Sequence, residues 1–265
     1  MAVLTAVICG VFGLLFGSFG NVVIHRVPEG QSVVSPPSAC PGCGNSITPR
    51  DNIPVLSWLV LRGRCRNCGE PISVRYPIVE LASAALFALT GYVFASADPP
   101  DFWVLPGMLL FVWVLLIVSV IDVETRRIPN AITYTLTPAL AVLLVSAAVL
   151  NGEPGRALTA VAGGAGAFVF LLILALIKPG GMGFGDVKYA AFLGLGLGYV
   201  SLGSVLIGIF GAFLVGSLVS VALLALTDRS RKDKVPFGPF LSVGAFVGIL
   251  IGPALVEAYT SAVGL

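Results

Sequence analysis

The 265-residue chain is 57% hydrophobic and only 11% charged, with a mean hydropathy of +1.01. A soluble domain carries about a quarter charged residues, so this composition excludes one and indicates an all-α polytopic membrane protein. The net charge of +2, with no long run of like charge, gives no reason to expect nucleic acid as a partner.

Residues 1–25 are apolar, lack a basic segment ahead of them and meet their first cation at Arg26. This reads as a first transmembrane helix with its N-terminus outside rather than as a signal peptide. Residues 26–76 follow, rich in Pro, Gly, Cys and Arg and too poor in apolar residues to build a core, so the segment needs a staple. Apolar runs at 77–97, 103–121, 131–150, 157–177, 189–203, 204–226 and 238–259 bring the expectation to about eight transmembrane helices. The weakest is 189–203, where Gly194, Gly196, Gly198 and Gly203 could mark a turn between two short spans or a re-entrant segment. The organisation expected is thus a first helix (1–25), a cytoplasmic loop (26–76) and a helical core (77–265).

Charge supports that orientation. Of the 15 Lys and Arg residues, 14 fall in 26–76, 122–130, 178–188 and 227–237, and only Arg156 falls on the other side with Asp98 and Asp101. Excess cations mark cytoplasmic loops. Arg229, Arg231, Lys232 and Lys234 read as a topology determinant that touches lipid headgroups.

The staple is present as Cys40-Pro41-Gly42-Cys43 and Cys65-Arg66-Asn67-Cys68, two pairs separated by 21 residues. Four thiolates so spaced form a zinc-ribbon-like site; two disulfides are the alternative, disfavoured in a reducing cytoplasmic loop. Cys9, alone in the first helix, is expected to be an inert small hydrophobe.

Two acids lie where apolar runs end or begin: Asp122 in Ile121-Asp122-Val123-Glu124, and Asp186 in Gly180-Gly181-Met182-Gly183-Phe184-Gly185-Asp186-Val187-Lys188. Carboxylates at membrane depth are costly and face an interior or a water-filled cavity. Two that share a water, one protonated and one ionised, can act as general acid and general base in peptide hydrolysis. Gly183 and Gly185 are expected to let the backbone come close to a partner. The alternatives are that the acids cap helices or pair with Arg126, Arg127 or Lys188, that they form the proton relay of a transporter, or that the chain is a zinc-stapled scaffold. A relay needs carboxylates near the midplane and a pathway onward, whereas both acids lie at one face.

The residues resemble those of type IV prepilin peptidases, a family of GxGD aspartic peptidases, over almost the whole chain. Gly17-Ser18-Phe19-Gly20-Asn21-Val22-Val23-Ile24-His25-Arg26-Val27-Pro28 is similar to the family's opening motif, and Pro36 to Glu80 to its cysteine-bearing loop. Ile121-Asp122 with Arg127-Ile128-Pro129-Asn130, and Gly183 to Lys188, are similar to its two catalytic segments. The resemblance implies a bacterial inner-membrane enzyme whose Asp122 and Asp186 activate the water that removes a basic leader from prepilins or pseudopilins. It also implies N-methylation of the new N-terminus with S-adenosylmethionine as donor. The methyl transfer rests on the resemblance alone, and no cofactor-binding residue is assigned.

Other residues have two readings each. Glu80 could take the substrate's amine, pair with Arg75 or reach interfacial water, and Lys188 could tune Asp186 or anchor the helix end. His25 reads as an interfacial helix-end residue, and Gly163-Gly164-Ala165-Gly166 as a helix-packing segment.

Overall fold

The structure, a computed structural model, describes residues 1–178, 180–226 and 235–263. Arg229, Arg231, Lys232 and Lys234 lie outside them. The chain divides into two compact units, 1–100 and 101–265. Among the described residues, seven helices are long and apolar enough to cross a membrane.

The first unit contains α1 (Ala2–Arg26), a short α2 (Leu56–Val60) and α3 (Arg75–Ala95), with a single 3₁₀ turn at Pro49–Asp51. Helices α1 and α3 lie against each other along a seam of small residues. A side chain at Gly13 would strike Ala84 Cα at 2.6 Å, and one at Gly17 would strike Glu80 Cα at 2.6 Å. Within lipid there is no hydrophobic drive between helices, so close backbone approach supplies the attraction. Cys9 fits the same seam, buried, with its Sγ over Gly91.

The second unit contains α4 (Leu105–Thr125), α5 (Asn130–Leu150), α6 (Pro154–Ile177), α7 (Phe184–Val200), α8 (Leu202–Leu226) and α9 (Gly238–Val263). Their ends follow sequence chemistry. Asp101 accepts the Val104 N–H ahead of α4, α6 opens on Pro154 and α4 stops at Arg126, which is left-handed (φ 55°). Every residue of α7 from Tyr189 to Tyr199 except Ala191 is buried, so α7 is the core of this unit. At about 1.5 Å per residue its 17 residues reach about 26 Å, short of a full hydrocarbon core. The expected division of 189–226 into two elements is present, with the break at Ser201. The first of them starts earlier than expected, at Phe184, which places Asp186 inside a helix.

Glycines let the other helices reach α7. Gly163 and Gly194 meet backbone to backbone, Gly164 faces Leu195, and Gly196 admits the Phe111 ring of α4. The packing role read for Gly163 and Gly164 is what the structure shows, while Gly166 faces open space.

Candidate active site and metal centre

Asp122 occupies the last turn of α4 and is 5% exposed. Its Oδ2 accepts the backbone N–H of Gly238, the first residue of α9, at 2.8 Å. A helix N-terminus carries unpaired N–H groups and partial positive charge, and a carboxylate satisfies both.

Asp186 sits in the first turn of α7, where the same dipole favours its charge. Gly183 is the residue before that helix, and its extended backbone (φ −72°, ψ 139°) needs no glycine. What needs glycine is space: a Cβ there would stand 3.0 Å from Asp186 Oδ2. Gly185 similarly leaves room for Ile128, whose Cβ would be 3.2 Å away. The two glycines therefore serve close approach, and the left-handed backbone lies upstream, at Gly180 (φ 78°).

Gly185, the neighbour of Asp186, packs on Ile128 just past the end of α4, and the two acids are near enough for the charge of Asp122 to act on Asp186. Lys188 turns away from it. Its Nζ donates to Asn130 Oδ1 at the start of α5 and lies over the rings of Tyr134 (5.1 Å) and Phe184 (5.3 Å). Sequence reading missed Gly238, Ser242 and Tyr189, all buried around Asp122 and Asp186. The signal available was Gly238-Pro239 at a helix start, one glycine dipeptide among 32 glycines.

In the first unit each Cys-x-x-Cys pair forms a knuckle of the same design. The Cys40 N–H donates to Asn45 O and the Gly44 N–H returns to Cys40 O; the Cys65 N–H donates to Glu70 O and the Gly69 N–H returns to Cys65 O. Gly44 (φ 70°) and Gly69 (φ 74°) supply the left-handed turn after each second cysteine. All four thiols are free and their sulfurs lie within 4.8 Å of one another, with Cys40 Sγ and Cys68 Sγ 3.7 Å apart. A disulfide requires about 2.05 Å, whereas four thiolates about 2.3 Å from a central zinc-sized ion stand about 3.8 Å apart. The cluster could therefore hold a metal ion. Amides of Cys68 and Asn67 draw the Cys65 thiol down to about 7, while burial and the neighbouring cysteine sulfurs push the Cys68 thiol up to about 12, as expected of thiols crowded together.

The loop around the cluster is tied to its own unit. Arg66 grips Asp51 with Nη2–Oδ1 at 2.6 Å and Nε–Oδ2 at 2.9 Å, and Trp58 Nε1 donates to Ile72 O at 3.1 Å. Glu80 Oε2 accepts the Val55 N–H at 2.7 Å and a hydrogen bond from Ser18. On the same α1–α3 seam, Asn21 donates to Gly17 O and Tyr76 O, while Asn21 Oδ1 and Ser83 Oγ are buried without a partner. His25 is exposed at the end of α1.

Comparison with known proteins covers both units. The family model described as "Bacterial Peptidase A24 N-terminal domain" matches residues 11–94, and that of the "Type IV leader peptidase family" matches residues 109–224. The chain is 34% identical to a prepilin leader peptidase/N-methyltransferase of Bacillus subtilis (strain 168) over 94% of its own length and 95% of that protein's. It is 34% identical to a protein of the same name from Aeromonas hydrophila (94% and 91% covered) and 41% identical to one from Klebsiella pneumoniae (72% and 84% covered). No solved structure matches. With relatives this similar spanning nearly its whole length, the chain belongs to the type IV leader peptidase family.

Proposed function

We propose that this protein cleaves the basic leader from type IV prepilin-like proteins with Asp122 and Asp186, and methylates the N-terminus that cleavage exposes. The carrying observation is that the acid in the last turn of α4 and the acid in the first turn of α7 lie within reach of each other's charge, in a chain similar end to end to prepilin leader peptidase/N-methyltransferases. The ionised carboxylate takes a proton from water, which adds to the scissile carbonyl carbon. The protonated carboxyl gives its proton to the carbonyl oxygen, and the tetrahedral intermediate collapses as the leaving amine is protonated. Gly183 leaves room for the Asp186 carboxylate, and Lys188 braces the start of α7 against α5.

Cys40, Cys43, Cys65 and Cys68 hold a structural zinc ion in this reading, supported by four free thiols whose sulfurs lie within 4.8 Å of one another. Bound zinc orders the loop, because metal-binding free energy is loop-folding free energy. Methyl transfer uses S-adenosylmethionine as donor, which supplies an activated methyl group. The acceptors of the first unit that could meet a cationic ligand of that kind or an amine lie on the α1–α3 seam. Glu80 presents a carboxylate, and Asn21 Oδ1 and Ser83 Oγ are buried acceptors with no partner of their own. Prepilins or pseudopilins and membrane lipid are the partners proposed. The cation distribution supports a bacterial cytoplasmic-membrane location with the N-terminus outside and the loop and both acids inside.

Purified protein incubated with a prepilin and S-adenosylmethionine should release the leader and yield an N-methylated product, both read by mass spectrometry. An intact prepilin after prolonged incubation with folded enzyme would refute the proposal.

A further inference from the structure

Asp122 and Asp186 stand on different helices, and nothing in either helix fixes their mutual placement. The structure ties both to a third. Gly238 N–H, the first donor of α9, bonds Asp122 Oδ2 at 2.8 Å. Four residues on, the Ser242 hydroxyl is 3.0 Å from Gly238 O and 2.8 Å from the Tyr189 hydroxyl. Tyr189 lies one turn after Asp186 on α7. Its ring stacks on Phe192 (centroids 6.1 Å apart), and Phe192 stacks on Phe111 of α4 (5.4 Å). The three helices are therefore joined pairwise: α4 to α9 through Asp122 and Gly238, α9 to α7 through Ser242 and Tyr189, and α7 to α4 through the stacked rings. Tyr189 is fully buried and Ser242 is 4% exposed, so water does not compete for these bonds.

The glycine is required by shape as well. A Cβ at Gly238 would fall 2.8 Å from Asp122 Oδ2 and 3.2 Å from both its Cβ and Cγ. Gly238 opens an α-helix, a conformation that alanine favours, so replacing it disturbs the carboxylate rather than the fold. Pro239, which follows, has no N–H. The Gly238 N–H would be an unsatisfied donor in a membrane protein's interior if Asp122 did not take it.

We propose that the first turns of α9, through Gly238 and Ser242 with Tyr189 of α7, form the positioning frame that sets the Asp122 and Asp186 carboxylates to one water. Gly238, Ser242 and Tyr189 are positioning residues in this assignment. The inference rests on reading the two acids as the catalytic pair, and it adds the group that holds them. A shift of about 1 Å in such a pair costs about 100-fold in rate. Because the frame bonds Asp122 directly and reaches Asp186 through the first turns of α7, its loss is expected to lower kcat and leave KM in place.

The test measures kcat, KM and thermal unfolding in detergent for Gly238→Ala, Ser242→Ala and Tyr189→Phe, with Asp122→Asn and Asp186→Asn in the same assay. The expected result is a fall in kcat of about 100-fold for Gly238→Ala and about 10-fold for each of the other two. KM should stay within about twofold, the unfolding temperature should be near wild type, and both Asn variants should be inactive. If Gly238→Ala fails to fold, Ser242→Ala and Tyr189→Phe decide the matter, since each deletes one hydroxyl and leaves the packing in place. Wild-type kcat in Tyr189→Phe and Ser242→Ala, with inactive Asn variants, overturns the frame and leaves the catalytic pair standing. Cleavage by the Asn variants overturns the pair itself.

Discussion

The two units reach a defined geometry by opposite routes. In the first, the geometry that matters is local: each knuckle closes within a few residues, with an N–H returning to the cysteine that began it. In the second, the acids are assembled through space, and the bond that fixes Asp122 joins residues 116 positions apart. Spacing along the chain is enough to specify the turns of a cysteine cluster. It is not enough to specify a pair of carboxylates, which depends on how α4, α7 and α9 pack. The two should fail differently when broken.

The largest effect is expected at the acids. Asp122→Asn or Asp186→Asn keeps the side-chain shape and removes the charge, and should lower cleavage at least 1,000-fold, about 4 kcal/mol of barrier. Metal content of the first unit should not change. A variant that cleaves at more than about a tenth of the wild-type rate would remove that residue from the chemistry. Glu124→Gln serves as the control: Glu124 is exposed beside Asp122, and its replacement should alter kcat less than twofold.

The cysteine cluster should give the second largest effect, with the activities reversed. Cys43→Ser is expected to abolish stoichiometric zinc and lower methylation of a pre-cleaved substrate about 10- to 100-fold, the range typical of a damaged metal environment. Cleavage should fall only a few-fold. Zinc measured by mass spectrometry of the metal, alongside both activities, checks this. Equal loss of both activities would mean that the units do not divide the labour. Acidification should mimic the substitution, because protons displace the metal from its thiolates as pH falls below neutrality.

Much of this was legible in the sequence, for identifiable reasons. The spans are continuous apolar runs, the cysteine pairs carry their geometry in their spacing, and Asp122 and Asp186 are conspicuous because carboxylates are rare in such runs. Gly238 was not legible, because a glycine that makes room for a side chain on another helix looks like any other glycine. Tyr189 was hidden for the same reason, reading as one more residue of an apolar span until its hydroxyl is seen against Ser242. Glu80 stands out in the sequence as an acid near a span, but its tie to the Val55 N–H, which anchors the loop, is visible only in the fold. In the sequence Asp101 and Arg156 are only charges outside the membrane; in the structure they form a pair, Nη1 to Oδ2 at 3.0 Å.

That pair gives the third prediction, an effect on stability without one on chemistry. Asp101 is 7% exposed and also accepts from Asn151 (2.7 Å), the Val104 N–H (3.1 Å) and Tyr199 (3.4 Å), joining the starts of α4 and α6 to the end of α7. Asp101→Asn puts an amide donor among donors and should cost about 2 kcal/mol. Tyr199 lies 13 positions along α7 from Asp186, about 20 Å at helical rise, so kcat of the folded enzyme should be unaffected. Unfolding in detergent and cleavage kinetics on the same sample check both halves. A large fall in kcat would show that the frame around the acids reaches the far end of α7.

The smallest effect is expected at Asp51 and Arg66, the ion pair at the surface of the loop. The Arg66 guanidinium holds the Asp51 carboxyl below the usual carboxylate range. A carboxylate whose value is depressed by folding adds stability above its unfolded value, about 3.9, and loses that contribution as pH falls through the lower, folded value. The pair therefore contributes fully at neutral pH and fades only below about pH 4. Zinc held by the thiolates would be lost to protons at higher pH than this, so acid alone would not isolate the pair. Substitution at neutral pH does. Asp51→Asn should leave the zinc content whole, since neither partner is a cysteine, and should raise hydrogen exchange a few-fold at the amides of Asp51 and Asn52. If Asp51→Asn releases zinc instead, the pair is part of what closes the second knuckle, and the cluster is less local than its spacing implies.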